Sequence, residues 1–241
     1  MPKAIKKKII KTSSETDTAE TLSKLKKSAE ERKRFLLTAL SAILAVAVAV
    51  GGFLLYSNTQ KKNAQKLEYE GYKAYYGLYQ KQPVLMEERY KKAEELFRKA
   101  YNTKKSPVSL YYIANCYYEL GKFDEALNTL KELNLKFPDD EKFVPLSYYK
   151  MAMINLKKGS AEEALKSFAV LYNYKTGTYK DLALIESGKI LEAQGKAEEA
   201  RKKYEEVVKD FPQSPVAEEA KARTEKKKEL PVSASVPKRK S

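Results

Sequence analysis

Two patterns of apolar residues divide the chain. From residue 35 to residue 56 it reads FLLTALSAILAVAVAVGGFLLY, 22 positions without a charge. As a helix rising about 1.5 Å per residue this run extends about 33 Å, matching a hydrocarbon core of about 30 Å. A core helix of a soluble protein rarely stays apolar on every face over such a length, so the run is expected to span a membrane. Beyond residue 65 the pattern changes, and apolar positions recur every three or four residues. Leu110, Ile113, Ala114, Tyr117 and Leu120 form one helical face and Gly121 ends it; Phe123, Ala126, Leu127, Leu130 and Leu133 form a second face before Pro138. The spacing predicts a helix–turn–helix hairpin.

The same grammar returns twice. Tyr148, Met151, Ala152, Gly159, Ala164, Phe168 and Leu171 repeat it over residues 145–178, and Leu184, Gly188, Leu191, Gly195, Ala200, Tyr204, Val207 and Pro212 over residues 181–214. Ala126, Ala164 and Ala200 stand 38 and 36 residues apart. Small residues recur where two helices must approach closely and large ones where they fill the gap. Upstream, residues 57–105 hold a helical lead-in and a divergent first unit, with a first helix around Gly71 to Tyr79, the connection QKQPVLM, and a second helix marked by Ala93, Phe97 and Ala100. After Ser214, residues 215–228 read as a charged capping helix, which a stacked helical array needs over its last apolar face.

Leu110, Ile113, Ala114, Tyr117, Ala126, Leu130 and Pro138, within residues 107–140, resemble the tetratricopeptide repeat (TPR) pattern W-x2-L-G-x2-Y…A-x3-F…P. Leu184, Ser187, Gly188, Leu191, Ala200, Tyr204 and Pro212 follow it in the last copy, whereas the middle copy departs at Asn155 and Thr176, where looser packing is expected. The resemblance implies an all-α fold, one N-terminal transmembrane helix followed by a right-handed solenoid. Its concave face would be lined by the first helix of each hairpin and would bind peptides or partner segments without performing chemistry. The positions that face such a groove fall on Val108, Tyr111, Asn115 and Tyr118, then Leu146, Tyr149, Met153 and Leu156, then Leu182, Ile185, Lys189 and Glu192. Tyr111, Leu182 and Glu186 stand where chaperone-binding members of the family carry basic residues, so a clamp for a C-terminal carboxylate is not expected.

Composition closes other routes. The chain has no histidine, the commonest general base and metal ligand, and a single cysteine, Cys116, which excludes an intramolecular disulfide and a cysteine-rich zinc site. No phosphate-binding loop or nucleophile elbow is present, so no catalytic, cofactor or metal residues are expected and the protein is not read as an enzyme. Cys116 stands where TPRs commonly carry alanine and is expected to be an inert packed thiol. The formal charge of +15 belongs mainly to the tails: residues 1–34 carry +6 and residues 221–241 carry +6, leaving +3 on residues 57–220. A nucleic-acid-binding stripe on the folded body is therefore disfavoured. Residues 1–34 and 229–241 are expected to be disordered basic segments.

Orientation follows from flanking basic residues. Lys24, Lys26, Lys27, Arg32, Lys33 and Arg34 precede the span, against Lys61, Lys62 and Lys66 after it, which puts the N-terminus in the cytoplasm. Ala47-Val48-Ala49 resembles a signal-cleavage site, but the 34-residue leader is long for one and the apolar run continues through Leu55. A basic arm, one span and a TPR array in that order resemble the ancillary subunit of the bacterial Sec translocon. That resemblance implies an inner-membrane protein with a periplasmic scaffold, and as partners the translocon, a periplasmic chaperone or an envelope-assembly component. The Tol–Pal-associated family and a self-associating homo-oligomeric tether are the alternatives.

Overall fold

The computed structural model describes residues 14–78 and 84–225, and these are helical throughout, without a strand among them. Residues 1–13 of the predicted arm, Tyr79 of the predicted first helix, residues 80–83 of the connection after it, residues 226–228 of the predicted capping helix and the basic segment 229–241 lie outside the described residues. The helices are α1 (Ser14–Tyr76), α2 (Met86–Thr103), α3 (Pro107–Glu119), α4 (Phe123–Lys136), α5 (Phe143–Lys157), α6 (Ala161–Tyr172), α7 (Lys180–Ala193), α8 (Ala197–Asp210) and α9 (Ala217–Glu225). The chain divides into two units at Thr59/Gln60.

The first unit contains only the N-terminal part of α1. Residues 14–34, expected as a disordered arm, are helical there. The charge-free run follows in the same helix with its apolar side chains uncovered: Phe35, Leu44, Val48, Phe53 and Leu55 are all exposed. No apolar surface in this unit is positioned to cover them.

In the second unit the helices pair as antiparallel hairpins, and three of the inter-helix turns are copies of one another. Gly121, Gly159 and Gly195 sit at φ 72°, 76° and 75°, in the left-handed region that glycine alone enters without strain. At each, the following amide closes onto the carbonyl five residues back: Lys122 N–H to Tyr117 O, Ser160 N–H to Asn155 O, and Lys196 N–H to Leu191 O, at 2.8–2.9 Å. This is the glycine-dependent C-cap that reverses the chain after a helix. The three glycines are 38 and 36 residues apart, the spacing of the alanines. Ser106 adds an N-terminal stop for α3, its Oγ accepting from Ser109 N–H at 3.2 Å, with Pro107 in the first turn.

Inside each hairpin a small residue lies beneath a large one. Ala126, Ala164 and Ala200 are buried on the second helices, and Gly71 and Gly188 lie on the first. A Cβ on Gly71 would stand 3.0 Å from the Phe97 ring; one on Gly188 would stand 2.9 Å from Tyr204 Cδ1. The core is a row of neighbouring clusters. The first joins Ala93 and Phe97 of α2 to Leu110, Ile113 and Cys116 of α3 and to Phe143 and Val144 of α5. The last joins Leu184, Ile185 and Leu191 of α7 to Tyr204 and Val207 of α8 and Ala220 of α9. Burying a Leu or Phe side chain contributes about 1.5–3 kcal/mol, so each hairpin depends on the neighbour that covers it.

The first unit of the array differs from expectation in one respect. The first helix expected around Gly71 to Tyr79 is the C-terminal part of α1, which ends at Tyr76, short of Tyr79, before Gly77 at φ 66°. Around the divergent middle copy a cleft of about 400 Å³ opens between α6 and the α7–α8 hairpin, lined by Leu165, Phe168, Tyr172 and Leu184 among others. Thr176 stands in the connection leading into it, where two of the other copies have proline.

Gly188→Ala should lower stability by about 1–3 kcal/mol through overpacking against Tyr204, read as a fall in thermal midpoint by circular dichroism. In the double variant Gly188→Ala/Tyr204→Leu the loss should be smaller than the sum of the two single losses. Additive losses would show that the ring does not set the approach.

Candidate protein-binding groove

The first helices α3 and α5 of two successive hairpins touch each other directly. Their shared face is built from side chains one turn apart. Val108, Tyr111 and Tyr118 of α3 and Leu146, Tyr149, Met153 and Leu156 of α5 are all half-buried, with part of each side chain accessible. Tyr111 packs at a tilt on Phe143 across the α3–α5 contact, with ring centroids 5.5 Å apart, and Tyr149 meets Phe168 edge-on at 5.9 Å. The Lys150 ammonium lies 4.4 Å from the centre of the Tyr118 ring.

Two predicted groove residues are enclosed. Asn115 is 5% exposed, and its Oδ1 has no hydrogen-bond partner among the described residues. Its amide interacts with the Tyr111 hydroxyl, offsetting part of the rise that burial imposes on the Tyr111 pKa. Ile185 is 0% exposed and belongs to the core shared with α8 and α9, so it cannot meet a partner. Counting round the helix placed it on the groove face, but α9 covers that position.

The other residues of the third set are engaged by the same capping helix. Lys189 bridges Glu186 at 3.0 Å and Glu219 of α9 at 3.1 Å. Glu192 accepts from the Tyr204 hydroxyl at 2.8 Å and pairs with Arg223 of α9 at 2.6 Å. Leu182 remains half-buried. The open part of the face is therefore centred on α3 and α5, while α7 is largely committed to α9.

The face also extends to residues that the repeat pattern did not single out. Tyr72 and Tyr76, near the end of α1, are 39% and 47% exposed. Contacts run from Tyr76 to Tyr72 (4.5 Å), Tyr72 to Tyr112 (5.8 Å), Tyr112 to Tyr111 (5.8 Å) and on to Phe143. Tyr179, at φ 65° the one non-glycine residue in the left-handed region among those described, caps α7 and is close enough to Tyr111 to raise its pKa, as are Tyr76 and Tyr149. The weak first repeat hid Tyr72 and Tyr76, although the run Tyr72, Tyr75, Tyr76 at three- and four-residue spacing was a usable sign. Tyr179 lies in a turn, outside any helical period.

Such a surface offers aromatic area, hydroxyls and one accessible amine, the materials of recognition rather than of bond chemistry. Among the described residues no cluster of three or more acidic or cysteine side chains could hold a metal ion. Cys116 is fully buried in the first core cluster.

Stacked helical hairpins presenting one accessible face define a repeat scaffold. The tetratricopeptide repeat-like domain matches residues 33–225, and the chain belongs to that family. Repeat domains of this type are generally non-enzymatic and bind other proteins. No curated protein matches the sequence. Among solved structures the chain is similar to MamA, at 17% identity over 59% of this chain and 77% of that one, TM-score 0.42. It is also similar to YrrB, described as a TPR protein with an unusual peptide-binding site, at 21% identity over 56% and 67% of the two chains, TM-score 0.44. A kinesin light chain from Podosopora anserina with nearly identical TPR-like repeats aligns at 14% identity over 69% and 82%, TM-score 0.45.

Burial, reinforced by Glu94 and Glu119, pushes the Cys116 thiol far above its usual 9.0, and burial together with neighbouring hydroxyls and carboxylates pushes Tyr75, Tyr112 and Tyr204 far above 10.0. These raised values stabilise the fold fully below the unfolded values, and the contribution is lost as pH rises past them. The urea midpoint should therefore be flat to pH 8 and fall above about pH 9–10. At pH 8 Cys116 should react with a thiol reagent only in denaturant; rapid labelling of the native protein would contradict this placement.

Proposed function

We propose that the protein is a membrane-anchored scaffold that holds segments of other proteins on the accessible tyrosine-rich face of its hairpin array. The observation that carries this reading is the partly accessible run of tyrosines from Tyr72 through Tyr112 to Tyr111, backed by the buried Phe143, with Tyr118, Tyr149, Met153 and Leu156 beside it. Aromatic side chains provide large contact area at small cost in side-chain entropy, which suits a surface that must take extended or helical segments.

The exposed, charge-free residues 35–56 act as a single membrane span. The excess of basic residues before it keeps the N-terminus in the cytoplasm and carries the array to the other side, the periplasmic face of an inner membrane. A scaffold held there is suited to assist protein translocation or the folding of envelope proteins, with the translocon, a periplasmic chaperone or an envelope-assembly factor as partner. A Tol–Pal-type coordinator would use the same face; a self-associating tether would fill it with a second copy.

A photo-reactive amino acid at Tyr118 or Tyr149 should attach a partner protein in cells, whereas one at the exposed Leu135 should not give the same product. Attachment from Leu135 but from neither tyrosine would place the binding surface elsewhere. Protease added to spheroplasts should digest residues 60–241, and their full protection would reverse the orientation.

A further inference from the structure

Lys150 is a charge that the fold leaves unmatched. It is half-buried on α5 between Tyr149 and Met151, with its ammonium over the Tyr118 ring. Several other half-buried cations are paired with carboxylates: Lys73 with Glu70, Lys189 with Glu186 and Glu219, and Arg223 with Glu192 and Glu219. No carboxylate among the described residues lies within salt-bridge distance of Lys150. Glu119 acts on it electrostatically without forming an ion pair, and one of its oxygens accepts from the Tyr75 hydroxyl at 3.2 Å. Burial holds the lysine below its usual pKa, with Glu119 opposing. A ring face recovers part of the lost hydration but takes none of the three ammonium donors.

We propose that Lys150 is a specificity-determining residue that selects partner segments carrying an Asp or Glu side chain between apolar residues. The carboxylate pairs with the ammonium while the flanking side chains lie on Tyr118, Tyr149 and Met153. This rests on the groove reading above and adds the chemistry of its occupant. A free C-terminal carboxylate fits less well, because its capture uses several convergent donors. Here the neighbouring amide, Asn115, is buried.

The test uses the full chain in detergent micelles and a phage-displayed library of random dodecapeptides, followed by synthetic peptides of the selected sequences. Peptides selected on the wild type should be enriched in Asp or Glu at one register. Replacing that residue by Gln or Asn should weaken binding about tenfold, as expected for loss of a charge-assisted hydrogen bond. The same replacement should have under about a twofold effect on Lys150→Met, which keeps the aliphatic stem over Tyr118. Lys150→Arg should restore discrimination. Should Lys150→Met fail to fold, Lys150→Gln serves in its place.

Peptides that require Tyr111 and Tyr149 but are indifferent to their acidic residues and to Lys150→Met overturn the proposal and leave the groove reading intact. Loss of binding on amidating the peptide C-terminus, with no effect of the side-chain replacement, also overturns it. Binding indifferent to Tyr111→Ala and Tyr149→Ala, or no selected binder at all, overturns both.

Discussion

The array depends on how closely the two helices of a hairpin can approach. Gly188 beneath Tyr204 and Gly71 beneath Phe97 leave no room for a further methyl group, and the buried alanines of α4, α6 and α8 serve the same end. Close approach lets one large ring fill the space between two helices. It also fixes the direction in which the first helix presents its remaining side chains. The left-handed glycines at 121, 159 and 195 then return the chain by the same path each time. The first helices α3 and α5 consequently come into contact, and residues far apart in sequence become one surface. Tyr111 and Tyr149 are both half-buried on that surface although 38 residues separate them.

Much of the fold was legible because it repeats. A glycine at a fixed offset from an alanine, recurring at 38 and then 36 residues, specifies both the turn and the close approach without any reference to distant contacts. Legibility failed where the repeat was weak or where local composition argued against tertiary order. The apolar pattern marks a first helix around Gly71 to Tyr79 without fixing its start; nothing between Tyr56 and Gly71 breaks a helix, and α1 runs through to Tyr76. Residues 14–34 looked too charged to be ordered, but alternating Lys and Glu are good helix formers, and Lys24 pairs with Glu20 at 2.9 Å one turn away.

The accessible face was half legible. Helical counting put Tyr111, Tyr118, Tyr149 and Met153 on one face, and all four are half-buried with part of the side chain accessible, because an unbroken first helix presents the same positions in every copy. It put Ile185 on the open face and credited Lys189 and Glu192 to it, because counting round one helix does not record which of its side chains the next helix engages. The capping helix expected over residues 215–228 is α9 at Ala217–Glu225, and its charges pair with Lys189 and Glu192. Asn115 shows the opposite limit: its position in the period was read as facing a ligand, while packing encloses it and leaves its carbonyl oxygen unpaired. Lys150 was missed because periodicity records which face a residue occupies and says nothing about whether its charge is matched.

The chain contains eighteen tyrosines and no tryptophan. Its ultraviolet emission is therefore tyrosine emission alone, and the rings from Tyr72 to Tyr111 are near enough to one another to exchange excitation. A tryptophan brought onto that face by another molecule becomes the lowest-energy acceptor of the whole set. Light absorbed by the tyrosines then leaves at the longer wavelength of the visitor. The aromatic surface thus serves as a built-in antenna, through which occupancy is visible without attaching a dye to either molecule.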